Sequence, residues 1–134
     1  MEWILWLECR DELRVLLQHD ILRFERNTVN AGPEDVGLTL SDGQAVLRRI
    51  QTNLVSDQAK LESQKHSICQ HCRERKAIKD YRSRKLQTLF GVVRIVCPRF
   101  WSCGCQCIRR RAEWPLRWLM PARSTPELSY LLAK

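Results

Sequence analysis

Alternating apolar and polar positions predict β-strands near the start of the chain. Over residues 2–9 the apolar side chains alternate between two faces, and shorter apolar groups follow, interrupted at His19 and Asp20. A period of two is typical of strands. We therefore expect two or three short strands and a Gly- and Pro-containing loop within residues 1–40, with a helical turn over Asp11–Gln18 as an alternative.

A change to helical periodicity predicts a long helix over residues 41–66. Ser41 and Gln44 fit the N-cap and N3 positions of a capping box. Apolar residues then recur at helical spacing, at Val46, Leu47, Ile50, Leu54, Val55 and Leu61. We expect this stripe to pack on the N-terminal strands. A coiled coil is the alternative, although Asp57 occupies one of its heptad positions.

Residues 67–111 predict a β-hairpin bounded by cysteines. Its two strand-like segments, Lys79–Phe90 and Val92–Trp101, are separated by a glycine. Pro98 lies in the second segment and has no N–H to donate. We therefore expect a sheet edge or a bulge at this point.

Residues 112–134 predict a connector and the start of a helix. Ser124 and Glu127 fit a second capping box, and Pro126 falls early in the helix, where its missing N–H has no cost. The sequence stops at Lys134, about two turns later, which indicates a truncated helix. The predicted fold class is α+β, with a small N-terminal β element, one long helix, a zinc-ribbon-like β-hairpin and a truncated C-terminal helix.

Four of the seven cysteines have the spacing of a metal site. One Cys-x2-Cys pair precedes the hairpin and one Cys-x-Cys pair follows it, so two thiols at each end can surround one ion. Four thiolates in a tetrahedral shell are a ligand set that Zn²⁺ prefers. The predicted ligands are Cys69, Cys72, Cys103 and Cys105. Because the second pair is irregularly spaced, Cys107 or His71 is an alternative ligand.

The remaining cysteines and the thiol chemistry have simpler interpretations. Cys9 and Cys97 are expected to be small apolar side chains. An odd number of cysteines fits a metal site with spare thiols better than a closed disulfide framework. Cys-x2-Cys also occurs in thiol oxidoreductases, where the first thiol lies at a helix N-terminus after a strand. Here the pair follows a helix, which disfavours that function.

The net charge of +8 is concentrated in one part of the chain. Between Arg73 and Arg111 there are 12 Lys and Arg against Glu74 and Asp80, whereas residues 1–72 are net acidic. A local excess of cations predicts a polyphosphate partner such as a nucleic acid, and a solubilising surface is the alternative. Because residues two apart in a strand share a face, Arg82 and Arg84 are expected to point together. The candidate phosphate ligands are Lys79, Arg82, Arg84, Lys85, Arg94, Arg99, Arg109, Arg110 and Arg111.

The sequence contains neither a grouping of catalytic residues nor a segment that would direct the chain into a membrane. The carboxylates are few and scattered, so we predict no catalytic residues and no enzymatic activity. No apolar run reaches the 18 or so residues that a membrane span needs, and the apolar start, Met1–Cys9, lacks the features of a signal peptide. We therefore expect a cytoplasmic protein with reduced thiols and no membrane partner.

Several stretches together carry a recognisable pattern. They are Met1-Glu2-Trp3-Ile4, Leu22-Arg23-Phe24-Glu25-Arg26, residues 31–38, Cys69-x2-Cys72, residues 82–91, Pro98-Arg99-Phe100, Cys103-x-Cys105 and residues 123–128. In these stretches, which cover nearly the whole chain, the sequence resembles the N-terminal region of bacterial insertion-sequence transposases of the Kra group. The segment from Arg109 to Trp118 departs from that pattern. The resemblance implies a zinc-ribbon-like, DNA-binding part that precedes a catalytic domain of the acidic-triad, two-metal type.

The sequence therefore predicts the DNA-binding N-terminal part of a truncated insertion-sequence transposase that lacks the catalytic domain. Zn²⁺ is the expected cofactor, and a full-length transposase or a second copy of the chain is an expected partner besides DNA. The alternative is a free-standing zinc-ribbon regulator or a protein-interaction module that pairs through residues 41–65. A metal assay distinguishes both from a thiol oxidoreductase.

Overall fold

The fold is α+β, as predicted, with two antiparallel sheets and one long helix. The computed structural model describes residues 1–11, 14–26, 29–33, 36–105, 109–119 and 122–134. These form two compact units, Met1–Leu54 and Val55–Lys134. The elements in chain order are β1 (Glu2–Asp11), β2 (Arg14–Glu25), α1 (Leu40–His66), β3 (Ile78–Thr88), β4 (Gly91–Trp101), β5 (Ala112–Glu113), α2 (Leu116–Leu119) and α3 (Pro126–Leu132).

The first unit contains one long antiparallel hairpin, β1–β2, instead of several short strands. The alternative of a helical turn is wrong for Arg14–Gln18, because this segment is extended and pairs with β1. Strand β2 also continues through His19 and Asp20. A register shift opposite Leu5 and Trp6 leaves Ile21 as an extra, unpaired residue, and its side chain is only 1% exposed. The bulge therefore lets β2 turn an apolar group inward without ending the strand.

The N-cap of helix α1 lies two residues before the predicted one. Thr39, and not Ser41, caps it: the Thr39 hydroxyl accepts from the Asp42 N–H at 3.1 Å, and the Thr39 N–H donates to Asp42 Oδ2 at 3.0 Å. These bonds lower the pKa of Asp42, with a further contribution from the guanidinium of Arg26, which forms an ion pair with the same carboxylate. A carboxylate at N3 that is also held by a distant arginine stabilises this start of the helix more than Gln44, two residues later, could stabilise a start at Ser41.

The buried face of α1 differs from the predicted apolar stripe. Val55 is buried as predicted, but Leu47 and Leu54 are more than 40% exposed, and the other buried positions include Ala59 and Ser63, which the stripe did not contain. Residues four apart lie on one helix face, and the small side chains at two of these positions let the helix approach its neighbours closely. In the first unit, the contact with the N-terminal strands is polar and not the expected apolar packing: the Arg49 guanidinium donates a 2.8 Å hydrogen bond to the Ile21 carbonyl.

The second unit is built on the predicted basic hairpin, β3–β4. Leu86 pairs with Val93 and Arg84 pairs with Ile95 in an antiparallel register that is regular from Asp80 to Thr88 and shifts between Ile78 and Asp80. The turn between the strands is closed by the Thr88 hydroxyl, which donates to the Gly91 carbonyl at 2.7 Å. Gly91 has a φ of 121°, a conformation that side-chain-bearing residues rarely adopt.

One face of this hairpin forms the hydrophobic core of the second unit. The core consists of Val55, Ala59, Leu86, Val93, Ile95, Cys97 and Leu116. Cys97 is 2% exposed, and its sulfur lies 3.8 Å from the Ala59 carbonyl, in agreement with its predicted structural role. Beside it, Pro98 faces Tyr81 on β3, while β5 pairs with β4 only at Phe100 and Trp101. Pro98 therefore lies at a sheet edge, as expected.

The C-terminal helix α3 begins one residue later than predicted. Its N-cap is Thr125, without a side-chain hydrogen bond, and Pro126 follows in the first turn. The predicted cap, Ser124, instead forms a bridge with Gln87 of β3, and backbone hydrogen bonds on either side of it hold the chain in an extended form. Within the described ranges, none of the helices combines the length and apolar character needed to cross a membrane.

Candidate metal centre

The first cysteine pair lies in a tight turn that the backbone closes on both sides. An isolated antiparallel bridge joins Ile68 and Arg75, and the Cys69 N–H donates to the Glu74 carbonyl at 2.8 Å. Arg73 has a φ of 63° and donates its N–H to the Cys69 carbonyl at 3.0 Å. The left-handed residue just after Cys72 reverses the chain, so both sulfurs point to the same side of the turn.

The second cysteine pair follows β4, and hydrogen bonds at the open end of the hairpin position it. The Trp101 N–H donates to the Ala77 carbonyl at 2.9 Å, which joins the two open ends of the hairpin. One residue later, Ser102 exchanges two hydrogen bonds with Arg111, at 2.7 and 2.8 Å. Ser102 is 6% exposed, so its hydroxyl would be costly to bury without this partner. These bonds fix where the loop carrying Cys103 begins.

The fold brings together all four predicted ligands. The sulfur atoms of Cys69, Cys72, Cys103 and Cys105 lie within 4.8 Å of one another. The closest pairs join the two turns: Cys72 to Cys103 at 3.3 Å, and Cys69 to Cys105 at 3.6 Å. Cys69 is buried and Cys105 is exposed. A compact tetrad of thiols that is open to solvent on one side could hold a metal ion.

The electrostatics of this cysteine tetrad favour binding of a cation. Backbone N–H groups of Cys72 and His71 donate to the Cys69 sulfur and lower the pKa of Cys69 to about 6. By contrast, the pKa of Cys105 is raised to about 12, mainly by its hydrogen bond with Cys103. Closely spaced thiols cannot all ionise on their own, because their negative charges repel. A cation at the centre removes that repulsion and lets all four bind as thiolates.

The alternative ligands have different outcomes. His71 is exposed and is not a member of the tetrad; it contributes only its backbone N–H to Cys69. Cys107 lies outside the described residues, so its prediction as an alternative ligand stays a prediction. Cys9 is in β1 of the first unit and is not among the clustered sulfurs. The irregular Cys-x-Cys spacing is therefore sufficient to close the tetrad with Cys105.

The predicted phosphate ligands divide between the two faces of the hairpin. Arg82 and Arg84 share a face, as expected from strand alternation, but it is the face that carries the core residues Ile95 and Cys97. On this face, Arg84 donates to the Ala122 carbonyl at 2.9 Å and lies 5.3 Å from the ring centre of Trp114. The Arg84 guanidinium therefore already has partners in the segment after β5 and is less available to a phosphate.

Two other predicted ligands also have partners within the hairpin. Arg99 forms an ion pair with Asp80, with Nε 2.6 Å from Oδ1. Lys79 places its ammonium group 4.5 Å from the ring centre of Trp101. The ammonium group remains available to a phosphate, because a cation over an aromatic face keeps its other donors.

The outward face and the loop carry the remaining cations. Lys85 and Arg94 are exposed and pair directly across β3 and β4. Arg109, Arg110 and Arg111 are exposed in the segment that returns from the second cysteine pair. This outward face and loop form the basic surface, which consists of Lys79, Lys85, Arg94, Arg109, Arg110 and Arg111.

Carboxylates do not form a comparable group in the described part of the chain. The cysteine tetrad is the one cluster there of three or more side chains able to ligate a metal. Several acidic residues are instead paired with cations, such as Asp80 with Arg99 and Glu113 with Lys76. Sequence reasoning missed the Lys76–Glu113 pair, which joins the first turn to β5, since no local pattern relates two residues so far apart.

Comparisons with known proteins do not identify the chain. No family model, curated protein or solved structure matches it. The resemblance to transposases therefore stays a prediction, and function has to be argued from the tetrad and the basic surface.

Proposed function

We propose that the chain is a zinc-stabilised DNA-binding module of the kind that precedes the catalytic domain of insertion-sequence transposases. One observation carries the proposal: the cysteine tetrad lies at the open end of the hairpin that contains most of the cationic excess. A metal at that position would hold the two strand ends together. It would thereby make a small, highly charged hairpin rigid enough to bind a phosphate backbone.

Zn²⁺ is the metal that best fits the donor set. Four sulfurs around Zn²⁺ with bonds of about 2.3 Å are about 3.8 Å apart in a tetrahedron. The Cys72–Cys103 and Cys69–Cys105 separations, 3.3 and 3.6 Å, are close to that value. Thiolate-only sites select Zn²⁺, Cu⁺ or iron over Mg²⁺ and Ca²⁺, which prefer oxygen ligands.

The basic surface supports DNA as the partner. Lys85 and Arg94 are directly opposed on adjacent strands. Like charges in this arrangement destabilise a sheet, and an anion between them removes the repulsion. Phosphate groups are the anions that DNA presents at regular spacing, and each contact releases counterions. We infer binding that is mainly independent of sequence, because the surface is built from cations and phosphate contacts carry no base information.

The transposase assignment rests on the resemblance of the sequence stretches and on the agreement of that resemblance with the site. It implies a zinc-ribbon-like, DNA-binding part, and the tetrad and the basic surface are the features that such a part requires. Within a transposase, this module would hold the DNA while a separate acidic-triad domain performs strand transfer. The cysteine tetrad itself offers no carboxylate ligand for Mg²⁺.

The test is a DNA-binding titration with a charge-matched control. The zinc-loaded chain is titrated against a fluorescent duplex at low salt, together with the double variants K85Q/R94Q and R48Q/K65Q. Both variants lose two positive charges, but Arg48 and Lys65 are exposed on α1. We expect K85Q/R94Q to weaken binding by about tenfold or more and R48Q/K65Q to weaken it much less.

Two outcomes would contradict the proposal. If the zinc-loaded protein does not bind DNA at low salt, the basic surface only keeps the protein soluble. If both double variants weaken binding equally, net charge and not the hairpin face determines affinity. Circular dichroism and zinc content of each variant verify that the fold is retained.

A second candidate function, a protein-interaction module, is favoured by a different feature. A groove of about 840 Å³ lies between the second half of α1 and the edge of β4, with Tyr81, Val96 and Pro98 among its lining residues. In the described part of the chain, β4 pairs with β5 only at Phe100 and Trp101, so the edge near Val96 is unpaired. An extended peptide could add there as a further strand.

The lining of this groove indicates the chemistry of such a peptide. Lys60 and Arg75 contribute positive charge, and no acidic side chain is among the described residues that line the groove, so the peptide would be acidic. Selection from a library of extended peptides tests this candidate. Enrichment of acidic sequences whose binding is lost in V96D, with unchanged DNA affinity, would favour the interaction module.

A further inference from the structure

A second concave site lies on the core-side face of the hairpin and shares only Arg111 with the basic surface. It is a pocket of about 470 Å³, which is within the usual range for small-molecule sites. Four arginines line it: Arg82, Arg99, Arg111 and Arg117. They come from three segments of the chain, so the fold and not a run of sequence brings them together.

The charge in this arginine pocket is poorly balanced. Glu113 is the one carboxylate among its lining residues, and that carboxylate is already 2.7 Å from the ammonium group of Lys76. Arg99 is bound by Asp80, but Arg82 and Arg111 have exposed side chains without an ion pair in the described part of the chain. Cations gathered in a concavity repel one another and raise the local concentration of anions.

The indole in the pocket wall does not add a donor for a ligand. Trp114 lines the pocket, but its Nε1 is fully buried, and the ring packs against the core of the second unit. The arginines therefore define the ligand that the pocket can bind. Such a ligand needs at least two negative charges to match the arginines and must be compact enough to enter a concavity.

We propose that the arginine pocket binds a phosphomonoester. Guanidinium groups bind phosphate oxygens in a bidentate manner and stay charged at all physiological pH values. A phosphomonoester carries about two negative charges and three acceptor oxygens near neutral pH. A phosphodiester in the middle of a duplex has one charge and cannot leave its backbone to enter a pocket, so the pocket selects a terminal phosphate group.

Two molecules present this group, a free mononucleotide and the 5′-phosphorylated end of a DNA strand. The assignment to a strand end rests on the proposed function, whereas the phosphomonoester site itself does not. In a DNA-binding module, a site for a strand end would position the protein at a nick or a terminus, while the outward basic surface contacts the adjacent backbone.

The first experiment uses inorganic phosphate alone. Thermal unfolding of the zinc-loaded chain is followed with increasing phosphate at constant ionic strength, for wild type, R82Q/R111Q and R48Q/K65Q. We expect phosphate to raise the unfolding midpoint of wild type and of R48Q/K65Q by about 3 °C or more, and to leave that of R82Q/R111Q unchanged. Equal shifts in the two double variants would overturn the proposal.

A single substitution tests the pocket with less risk that the variant fails to fold. R82Q alone removes one exposed side chain and should reduce the phosphate affinity by about tenfold while zinc content and circular dichroism stay those of wild type. If R82Q and R82Q/R111Q keep wild-type phosphate affinity, the arginine pocket does not bind phosphate.

The second experiment identifies the source of the phosphate. Affinities are compared for one oligonucleotide with a 5′-phosphate or a 5′-hydroxyl, and for a mononucleotide. We expect the 5′-phosphate to strengthen oligonucleotide binding by about tenfold in wild type, and this ratio to fall to about one in R82Q/R111Q. If a mononucleotide binds as tightly as the phosphorylated strand, the phosphomonoester site is supported but its assignment to a strand end is refuted. If no oligonucleotide binds, the proposed DNA function fails while the phosphate titration still decides the pocket.

Discussion

The sulfur atoms of Cys72 and Cys103 lie 3.3 Å apart although 31 positions separate them in the chain. This contact joins the turn before β3 to the turn after β4, so it closes the open end of the hairpin. The opposite end is closed by a short turn at Gly91. A metal bound by the cysteine tetrad would therefore stabilise the end of the hairpin that has no covalent closure of its own.

Metal binding can be tested through single cysteine substitutions. We expect about one zinc per chain, and C69S should lose it because three thiolates bind far less tightly than four. C9S is the control, since Cys9 lies in β1 and outside the tetrad. Zinc release measured with a chromogenic chelator, and Co²⁺ absorption of the substituted protein, provide the measurement. A fully folded metal-free protein, or wild-type zinc content in C69S, would refute this prediction.

Salt dependence gives a second test of the basic surface. If about four to six phosphates are neutralised, the logarithm of the DNA affinity should fall with the logarithm of salt concentration with a slope of roughly −4 to −5. Removing Lys85 and Arg94 should flatten the slope by about one to two, because two phosphate contacts are lost. Arg84 is a less informative target, since its guanidinium donates to the Ala122 carbonyl. An affinity that does not change with salt would contradict the electrostatic model of binding.

Two valines on the same strand provide a matched test of the core. Val93 is 2% exposed and Val96 is 58% exposed on the opposite face of β4. V93A should lower the free energy of unfolding by about 2 kcal/mol, from lost burial and the remaining cavity. V96A should change it by less than about 1 kcal/mol. Chemical denaturation measures both changes, and equal effects would contradict the assignment of the core to the face that carries Val93.

The Asp80–Arg99 pair predicts acid sensitivity of the hairpin. The hydrogen bond from Arg99 holds the pKa of Asp80 below its usual range. Because the folded-state pKa is the lower one, this contribution to stability is fully present above the unfolded-state pKa of about 3.9 and is lost as pH falls through the folded-state pKa. The unfolding midpoint of wild type should therefore fall more steeply below about pH 4 than that of D80N.

The control for this pH experiment is E74Q, which also removes one carboxylate. Glu74 is exposed and, among described residues, forms no ion pair. We expect E74Q to retain the wild-type dependence on pH. The prediction fails if D80N and wild type lose stability in parallel as the pH decreases.

We expect no DNA cleavage or strand joining by this chain with Mg²⁺ or Mn²⁺. Such chemistry needs carboxylates grouped around the metal ions, and in the described part of the chain the one ligand cluster consists of cysteines. Gel analysis of nicked, linear and supercoiled DNA provides the measurement. Cleavage that disappears when a single Asp or Glu is replaced would overturn the prediction.

The amino-acid sequence by itself determined the features that depend on local spacing. Alternation of apolar residues was enough to find β3 and β4, because the two faces of a strand differ at each step. The Cys-x2-Cys and Cys-x-Cys pairs were enough to predict the tetrad, since two thiols a few residues apart can reach one ion only if the chain turns there. The phosphomonoester pocket had no comparable signal, as its arginines come from separate segments.

The limits of helix α1 show where local patterns fail. Two overlapping capping boxes exist in the sequence, one starting at Thr39 and one at Ser41. The ion pair between Asp42 and Arg26 supports the first, and no spacing rule relates these two residues. The buried face was also mispredicted, because Ala59 and Ser63 are unremarkable in a hydrophobic pattern and are buried only where the fold brings neighbours close to them.

The hairpin cations show the same division between sequence and fold. Strand alternation predicted that Arg82 and Arg84 share a face, but it could not say which face would carry the core. Leu116, which lies far along the chain, is packed in the same core as Ile95 and Cys97. That packing assigned Arg84 to structural contacts and Arg82 to the arginine pocket, and it left Lys85 and Arg94 exposed on the outward face. Tertiary structure decided this because the hydrophobic effect selects the face that other elements can cover, and those elements are distant in sequence.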